Sequence, residues 1–388
     1  MPTTRMILSL FAAVLGLAST PQDARAFTPP FENRTHPRTK LTAMNDQRIE
    51  TELAQWLATF NPHEPGFTFM ARFDEGSEYS GSVGMADLAQ QQPLEVNSIF
   101  NLASVSKQFT AFSILLLAQD GLLDLNDPIQ KHLPELPNYT QEITIQDLIY
   151  HVGGMIDYME LAEQQQIGVQ DLLTAKQSLS DIVSYPKAFF PVGNRFDYSN
   201  TGYFLLAQII ERVSGQSYKA FAEQRIFVPL GMKHTFIVDH YPTLPSVVHG
   251  YAQQASGQFV LDESPWEQTG DGAVHSNVID LMKWGRNLST GTVGGLELVQ
   301  KMGESLPALN RAGQKIIDHE NYAFGLFKVE RSGLHTLEHS GGWAGYATYF
   351  IRVPSQRLSI AVLSNQADFY GETAAYKVLD VVLGQAPA

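Results

Sequence analysis

The sequence Ser104-Val105-Ser106-Lys107 places a hydroxyl and an amine three residues apart. Side chains at this spacing project from the same face of an α-helix. A serine hydroxyl becomes an effective nucleophile only when a neighbouring base takes its proton, and a lysine can be that base when burial lowers its pKa. The tetrapeptide therefore predicts a nucleophilic Ser104 with Lys107 beside it.

The residues that follow predict a helix for this pair. Phe109, Phe112 and Leu116 repeat at helical spacing, and Gly121 supplies a stop. Ser104 is thus expected at the N-terminal end of a largely apolar, buried helix. The positive end of the helix dipole favours the negative charge that develops on a nucleophile.

Two similar short matches elsewhere in the chain are set aside because of their context. A second serine-x-x-lysine, Ser184-Tyr185-Pro186-Lys187, contains a proline that disrupts a helix, so its serine and lysine should not share a helical face. A second histidine-x-glycine, His151-Val152-Gly153, is expected in a glycine-containing loop and not at the start of a strand.

Two further motifs follow the tetrapeptide, Tyr198-Ser199-Asn200 and His339-Ser340-Gly341, and His339 is expected at the start of a strand. Together and in this order, the three motifs resemble those of serine β-lactamases and penicillin-binding proteins. Within that superfamily the chain is most similar to the branch that holds class C β-lactamases, D-stereospecific aminopeptidases and related esterases. The similarity covers roughly residues 46–383 and includes the stretches Asp147-Leu148-Ile149-Tyr150-His151 and Gly270-Asp271-Gly272.

The resemblance implies a two-step acyl transfer in which Ser104 attacks a carbonyl and water releases the acyl-enzyme. It implies that Lys107 and Tyr198 are the catalytic bases. Which of them takes the serine proton stays open, and Tyr198 needs nearby cations, from Lys107 or His339, to lower its pKa from about 10. Asn200 would orient Lys107 and the substrate amide.

The resemblance also implies a role for the glycines of the third motif. Gly341 and Gly342 would let a substrate backbone lie against the strand edge. The backbone N–H groups of Ser104 and Gly342 would form an oxyanion hole, in which each donor contributes about 3–4 kcal/mol.

One position departs from the β-lactamase pattern, which has a lysine where this chain has His339. A histidine with a pKa near about 6.5 is mostly neutral at pH 7, so we expect weaker recognition of a free carboxylate. This favours an ester, an amide or a D-amino-acid amide as the substrate. No metal and no other cofactor is expected.

Composition describes an ordered globular protein: 44% of the 388 residues are hydrophobic and 17% are charged. The net charge of −14 argues against nucleic acid or an anionic membrane surface as the main partner. The absence of cysteine excludes disulfides and thiolate chemistry. The expected partner is a small-molecule or peptide-like substrate.

Residues 1–26 have the pattern of a signal peptide. Arg5 precedes the apolar run 6–18, and Ala24-Arg25-Ala26 fits the small-x-small cleavage pattern. A buried first helix or an uncleaved anchor is the alternative. Residues 27–45 are expected to be a flexible lead-in, and the mature protein is expected to be periplasmic or secreted, without a stable membrane anchor.

Strand patterns lie near both ends of the chain, among them Phe67–Phe73 and a second strand that continues through Met85. Helical patterns, such as residues 169–173, lie between them. The predicted fold class is α+β. N- and C-terminal strands form one antiparallel sheet flanked by the terminal helices, and a mainly helical insertion of about residues 105–331 interrupts the domain 46–388. The active site is expected in the cleft between the two lobes.

These observations favour a secreted serine hydrolase that cleaves small esters or peptide-like amides. A true β-lactamase or a D-Ala carboxypeptidase is the second possibility. A non-catalytic protein that binds peptidoglycan peptides or acts as a scaffold is the third, although such a protein has no need for Ser104, Lys107, Tyr198 and Asn200 together.

Overall fold

A computed structural model of the protein describes residues 40–238 and 247–385. The predicted signal peptide and residues 27–39 of the predicted lead-in lie outside the described residues. The rest of the lead-in is helical, because helix α1 spans Lys40–Leu57. Asp46 lies inside α1 and accepts a hydrogen bond from the Tyr79 hydroxyl. Among the described residues, no helix combines the length and the apolar character that a bilayer span requires.

The described part of the chain is built around a six-stranded antiparallel sheet. Its strands stand in the order β10-β11-β12-β13-β1-β2. They are β1 (Phe67–Phe73), β2 (Glu78–Val83), β10 (Phe327–Arg331), β11 (Leu334–Trp343), β12 (Tyr346–Val353) and β13 (Leu358–Ser364). The N- and C-terminal strands meet where β1 pairs with β13, from Phe67 opposite Ser364 to Phe73 opposite Leu358. This confirms the predicted sheet.

Helices cover both faces of the sheet. Successive residues of a strand point to opposite faces, so Phe69 faces α1 and the last helix, α11 (Gly371–Leu383), while Met70 faces the helical segment. On that second face, helix α9 (Val278–Thr290) lies close to the sheet at Gly285. A Cβ at Gly285 would stand 2.0 Å from the Ser359 hydroxyl oxygen. A helix of the insertion therefore covers the face that the prediction left open.

The segment between β2 and β10 is mainly helical, as predicted, but it also contains short strands. Its helices are α2 (Lys107–Gln119), α3 (Ile145–Ile149), α4 (Tyr158–Gln164), α5 (Ala175–Ser184), α6 (Asn200–Ser214), α7 (Tyr218–Ala222), α8 (Val228–Leu230), α9 and α10 (Gly295–Lys301). Apart from residues 239–246, which the structure does not describe, its strands form three small sheets: β3 (Met85–Asp87) with β4 (Gln92–Pro93), β5 (Phe100–Asn101) with β9 (Val274–Ser276) and β6 (Phe236–Ile237), and β7 (Tyr251–Gln253) with β8 (Phe259–Leu261).

Two predicted boundaries and one predicted helix are wrong. The insertion ends before residue 331, because Phe327–Arg331 is strand β10 of the main sheet. The second predicted strand stops at Val83, since Gly84 has a φ of +99°. Residues 169–173 are not helical, because the Asp171 carboxylate accepts the Gly168 N–H at 2.6 Å and this local bond competes with a helix.

Candidate active site

Ser104 lies in a 3₁₀ turn, Ala103–Ser106, that connects β5 to helix α2. Ala103 has a φ of +47°, a left-handed conformation that is costly for a residue with a Cβ. The Asn101 side-chain oxygen accepts the Ala103 N–H at 2.7 Å and holds this conformation. Ser104 itself is partly exposed between buried neighbours. The turn therefore presents the serine hydroxyl at the surface of the core, one turn before α2 begins, whereas the prediction placed Ser104 at the N-terminal end of the helix itself.

Lys107 is the first residue of α2 and is fully buried. Its Nζ lies 3.0 Å from Ser104 Oγ, 2.9 Å from Asn200 Oδ1 and 2.9 Å from the Asp271 carbonyl oxygen. Burial lowers the pKa of Lys107 to about 8, although the carboxylates of Asp271 and Asp157 act in the opposite direction. The predicted pair of Ser104 and Lys107 is therefore in hydrogen-bonding contact, with an amine that ionises near neutral pH.

Two carboxyl groups that the sequence analysis did not assign to the site lie beside this amine. Asp271 accepts a hydrogen bond from the Tyr158 hydroxyl at 2.8 Å, and Asp157 accepts the Asn200 N–H at 2.6 Å. Burial raises the pKa of Asp271, and it raises that of Asp157 to about 6. Of these two, only Asp271 lies in a stretch, Gly270-Asp271-Gly272, that contributed to the family resemblance, and the resemblance gave it no role. Asp157 caps α4, a role that its position before a helix could have indicated.

Tyr198 stands two residues before α6, which begins at Asn200. Lys107 Nζ lies 4.9 Å from the centre of the Tyr198 ring. Burial raises the pKa of Tyr198 well above 10. Lys107 thus lies where the predicted cation would be, but burial dominates and keeps Tyr198 a neutral phenol.

His339 is the sixth residue of β11, so its predicted place at the start of a strand is wrong. Its side chain is fully buried, with Nε2 at 3.2 Å from the Tyr322 hydroxyl and Nδ1 at 2.5 Å from the Ser340 carbonyl oxygen. Burial lowers the pKa of His339 to about 3. The imidazole is therefore neutral, as expected, but burial is the reason, and it supplies no cation to Tyr198.

The two glycines of the third motif have different surroundings. A Cβ at Gly341 would stand 2.3 Å from the Leu102 carbonyl oxygen and 2.2 Å from Thr348 Oγ1, whereas a Cβ at the exposed Gly342 would meet open space. Strand β10 pairs with β11 from Leu334 to Glu338, and residues 340–343 extend beyond that pairing. The strand thus lies against the nucleophile turn at Gly341. The oxyanion hole at Ser104 and Gly342 stays a prediction.

His151, which the sequence analysis set aside, is also placed beside the site. It lies outside the regular elements, as expected, but its ring centre is 4.4 Å from that of Tyr198. Its Nδ1 accepts the Ser199 N–H at 3.0 Å. No spacing rule connects His151 to Tyr198 across the intervening residues. Its one indication in the sequence was that the stretch Asp147–His151 contributed to the family resemblance.

The chain is similar to known proteins over most of its length. The model of the Beta-lactamase family matches residues 16–383. Penicillin-binding protein 4* of Bacillus subtilis (strain 168) is 32% identical over 338 residues, which are 80% of this chain and 70% of that protein. The D-aminopeptidase of Gluconobacter oxydans (strain 621H) is 23% identical over 303 residues, which are 78% of this chain and 55% of that protein. This chain thus spans just over half the length of that second relative.

A solved structure has the same fold. The octameric penicillin-binding protein homologue from Pyrococcus abyssi aligns with a TM-score of 0.74 and 27% identity, over 88% of this chain and 78% of that one. Its likeness includes the antiparallel sheet with flanking helices described above.

Proposed function

Because the chain belongs to the Beta-lactamase family and is a serine hydrolase, we propose that it cleaves small esters or peptide-like amides through an acyl-enzyme on Ser104. The observation that carries this proposal is the contact between Ser104 Oγ and the buried Lys107 Nζ, at 3.0 Å. An amine that burial makes less basic is the base that a serine nucleophile requires.

The hydrogen bonds of Lys107 favour this residue as the base for acylation. A neutral lysine has two N–H donors and one lone pair. The two donors match the Asn200 and Asp271 oxygens, and the lone pair matches the Ser104 hydroxyl proton. With a pKa of about 8, about one tenth of Lys107 is neutral at pH 7. Tyr198, which burial keeps protonated, suits the role of proton donor to the leaving group.

The proposed reaction then has two balanced steps. The Ser104 proton moves to Lys107 while Oγ attacks the substrate carbonyl. The bond to the leaving amine or alcohol breaks, and the leaving group takes a proton from Tyr198, which Lys107 restores. Water next attacks the acyl ester while Lys107 takes one of its protons, and this proton passes to Ser104 Oγ as the bond to the acyl group breaks, so that the carboxylic acid leaves and Ser104 is regenerated.

The neutral His339 favours substrates without a carboxylate next to the scissile bond. His339 is buried and uncharged, so it cannot form an ion pair with a substrate carboxylate as a lysine can. Trp343 shares a face of β11 with His339 and Gly341, is partly exposed, and packs on Trp266 with ring centres 5.2 Å apart. This aromatic pair supports an apolar acyl side chain. The name of the D-aminopeptidase relative makes a D-amino-acid amide the first amide to test.

Secretion is part of the proposal and rests on the sequence of residues 1–26. The basic start, the short apolar run and the small-x-small site support export to the periplasm or the medium. Fractionation of cells that express the full chain tests this point, and N-terminal sequencing of the exported form should begin near residue 27. Retention of residues 1–26 on a cytoplasmic product would contradict it.

The enzymatic test uses purified protein with p-nitrophenyl acetate, D-phenylalanine p-nitroanilide and nitrocefin. We expect turnover of the ester or the anilide and little turnover of nitrocefin. Intact-mass spectrometry after exposure to a fluorophosphonate should show one adduct on Ser104. Ser184→Ala, in the second serine-x-x-lysine sequence at the exposed end of α5, is the matched control and should label as the unchanged protein does.

Each other result points to a different function. Efficient nitrocefin hydrolysis would favour a β-lactamase. Protein that neither hydrolyses a substrate nor becomes labelled would favour the peptide-binding or scaffold alternative.

A further inference from the structure

His151 contacts three consecutive residues around the proposed proton donor. Its carbonyl oxygen accepts the Asp197 N–H at 2.9 Å, its ring lies 4.4 Å from the Tyr198 ring, and its Nδ1 accepts the Ser199 N–H at 3.0 Å. One residue thus binds the backbone on both sides of Tyr198 and contacts the phenol itself. Asn200 follows directly, so the same segment also positions the partner of Lys107.

The surroundings of His151 fix its orientation and its protonation state. The side chain is 1% exposed, and the residue has a φ of +58°. Because Nδ1 accepts a hydrogen bond, the ring proton of the neutral form sits on Nε2. Burial lowers the pKa of His151 well below 6.5, and the charge of Lys107 acts in the same direction.

One polar atom of this side chain is left unsatisfied. His151 Nε2 is buried and makes no hydrogen bond within residues 40–238 and 247–385. A buried donor without a partner is unfavourable and rare, and so is a histidine in the left-handed region. An apolar ring at this position would avoid the unsatisfied donor but would leave the Ser199 N–H without its acceptor. The histidine therefore provides the acceptor for the Ser199 N–H at Nδ1, although its Nε2–H is left without a hydrogen bond.

We propose that His151 is a positioning residue that holds the Tyr198 hydroxyl against Ser104 by binding the Ser199 N–H and supporting the phenol ring. This inference rests on the proposed function, because it concerns the proton donor of that reaction. A displacement of about 1 Å at a catalytic group can lower a rate about 100-fold. We therefore expect replacement of His151 to lower kcat and to leave KM nearly unchanged.

Two substitutions separate the contacts of His151. His151→Phe keeps an aromatic ring and removes the acceptor. His151→Asn places an oxygen on the atom position of Nδ1, and asparagine tolerates a positive φ. We expect kcat for D-phenylalanine p-nitroanilide, whose leaving amine must take up a proton, to fall about 10–100-fold in the phenylalanine variant and less than about 10-fold in the asparagine variant, with KM within about threefold of the unchanged protein in both. His132→Asn is the control, since that side chain is nearly buried but bonds Asp127 away from the site.

A double-mutant cycle distinguishes positioning from general damage. If His151 acts through Tyr198, His151→Phe should change kcat by less than about threefold when Tyr198→Phe is already present. Rates are normalised to the folded fraction from thermal unfolding, so that a variant that folds poorly still gives a result.

Two outcomes would overturn the inference. One is a His151→Phe variant whose normalised kcat lies within about twofold of the unchanged protein. The other is a full additive loss in the Tyr198→Phe background, which would show that the histidine acts elsewhere. Either result leaves the proposed function intact as long as the unchanged protein hydrolyses the ester. Lack of turnover and of Ser104 labelling in the unchanged protein would instead refute the proposed function.

Discussion

Asn200→Asp should raise the pKa of Lys107 and move the pH dependence of acylation to higher pH. The substitution keeps the shape of the side chain but places a carboxylate oxygen where Asn200 Oδ1 now lies, 2.9 Å from Nζ. A unit charge about 4 Å away contributes about 4 kcal/mol at an effective dielectric constant of about 20, and observed shifts from such neighbours are about 1–3 pKa units. The pKa of Lys107, about 8 in the unchanged protein, should therefore rise to about 9–11.

The rate of acylation follows the neutral fraction of Lys107. In the unchanged protein this fraction grows about tenfold per pH unit below about pH 8 and levels off above it. At pH 7 the variant should acylate about 10–1000-fold more slowly, and it should recover most of the loss at high pH. Single-turnover stopped-flow measurements with an activated ester from pH 6 to about 10.5 give this profile. Asn138→Asp, which adds the same charge at an exposed position, should leave the profile unchanged.

Two results would refute the reasoning. If acylation by the unchanged protein keeps rising through about pH 10 without levelling, the base has a much higher pKa, as burial gives to Tyr198. If the profile of Asn200→Asp coincides with that of the unchanged protein, the amine that contacts Asn200 is not the group whose ionisation limits acylation.

Three further predictions use simpler measurements. Ser104→Ala should abolish turnover and leave the free energy of unfolding within about 1 kcal/mol, as urea denaturation can show, and residual wild-type-like turnover would contradict the nucleophile. Gly341→Ala should destabilise the protein by about 1–3 kcal/mol, because its Cβ would stand 2.3 Å from a backbone oxygen. Gly342→Ala, whose Cβ would meet open space, should not destabilise it. Equal urea midpoints for the two variants would contradict the close packing at Gly341. Below about pH 6.5, stability should fall by up to about 1.4 kcal/mol per pH unit for each of His339 and His275. Burial lowers their pKa values to about 3 and about 4, so the unfolded state binds protons first as the pH falls. Buried carboxyl groups with raised pKa values offset part of this loss of stability. Urea titrations at pH 7 and pH 5 that show no loss would contradict the lowered pKa values of these two histidines.

Much of the fold could be predicted because its determinants are local. The alternating pattern of Phe67–Phe73 and the helical pattern after Lys107 specify their elements within a few residues. The proline at position 186 ended helix α5 where expected, so Ser184 and Lys187 do not share a helix. The errors fell on elements with competing local bonds, such as residues 168–171, and on the partner that covers the second face of the sheet.

The site divides in the same way. The sequence alone determined that Ser104 and Lys107 would meet, because a single helical turn, here the 3₁₀ turn that leads into α2, brings side chains three residues apart to one face. Only the tertiary structure decided their protonation states and which residues surround them. Segments far apart in the chain exclude water from Lys107, Tyr198 and His339, and a pKa depends on that exclusion and on neighbouring charges more than on residue type. Long-range packing likewise brought His151 to Tyr198, since a contact between two separate loops leaves no period in the sequence.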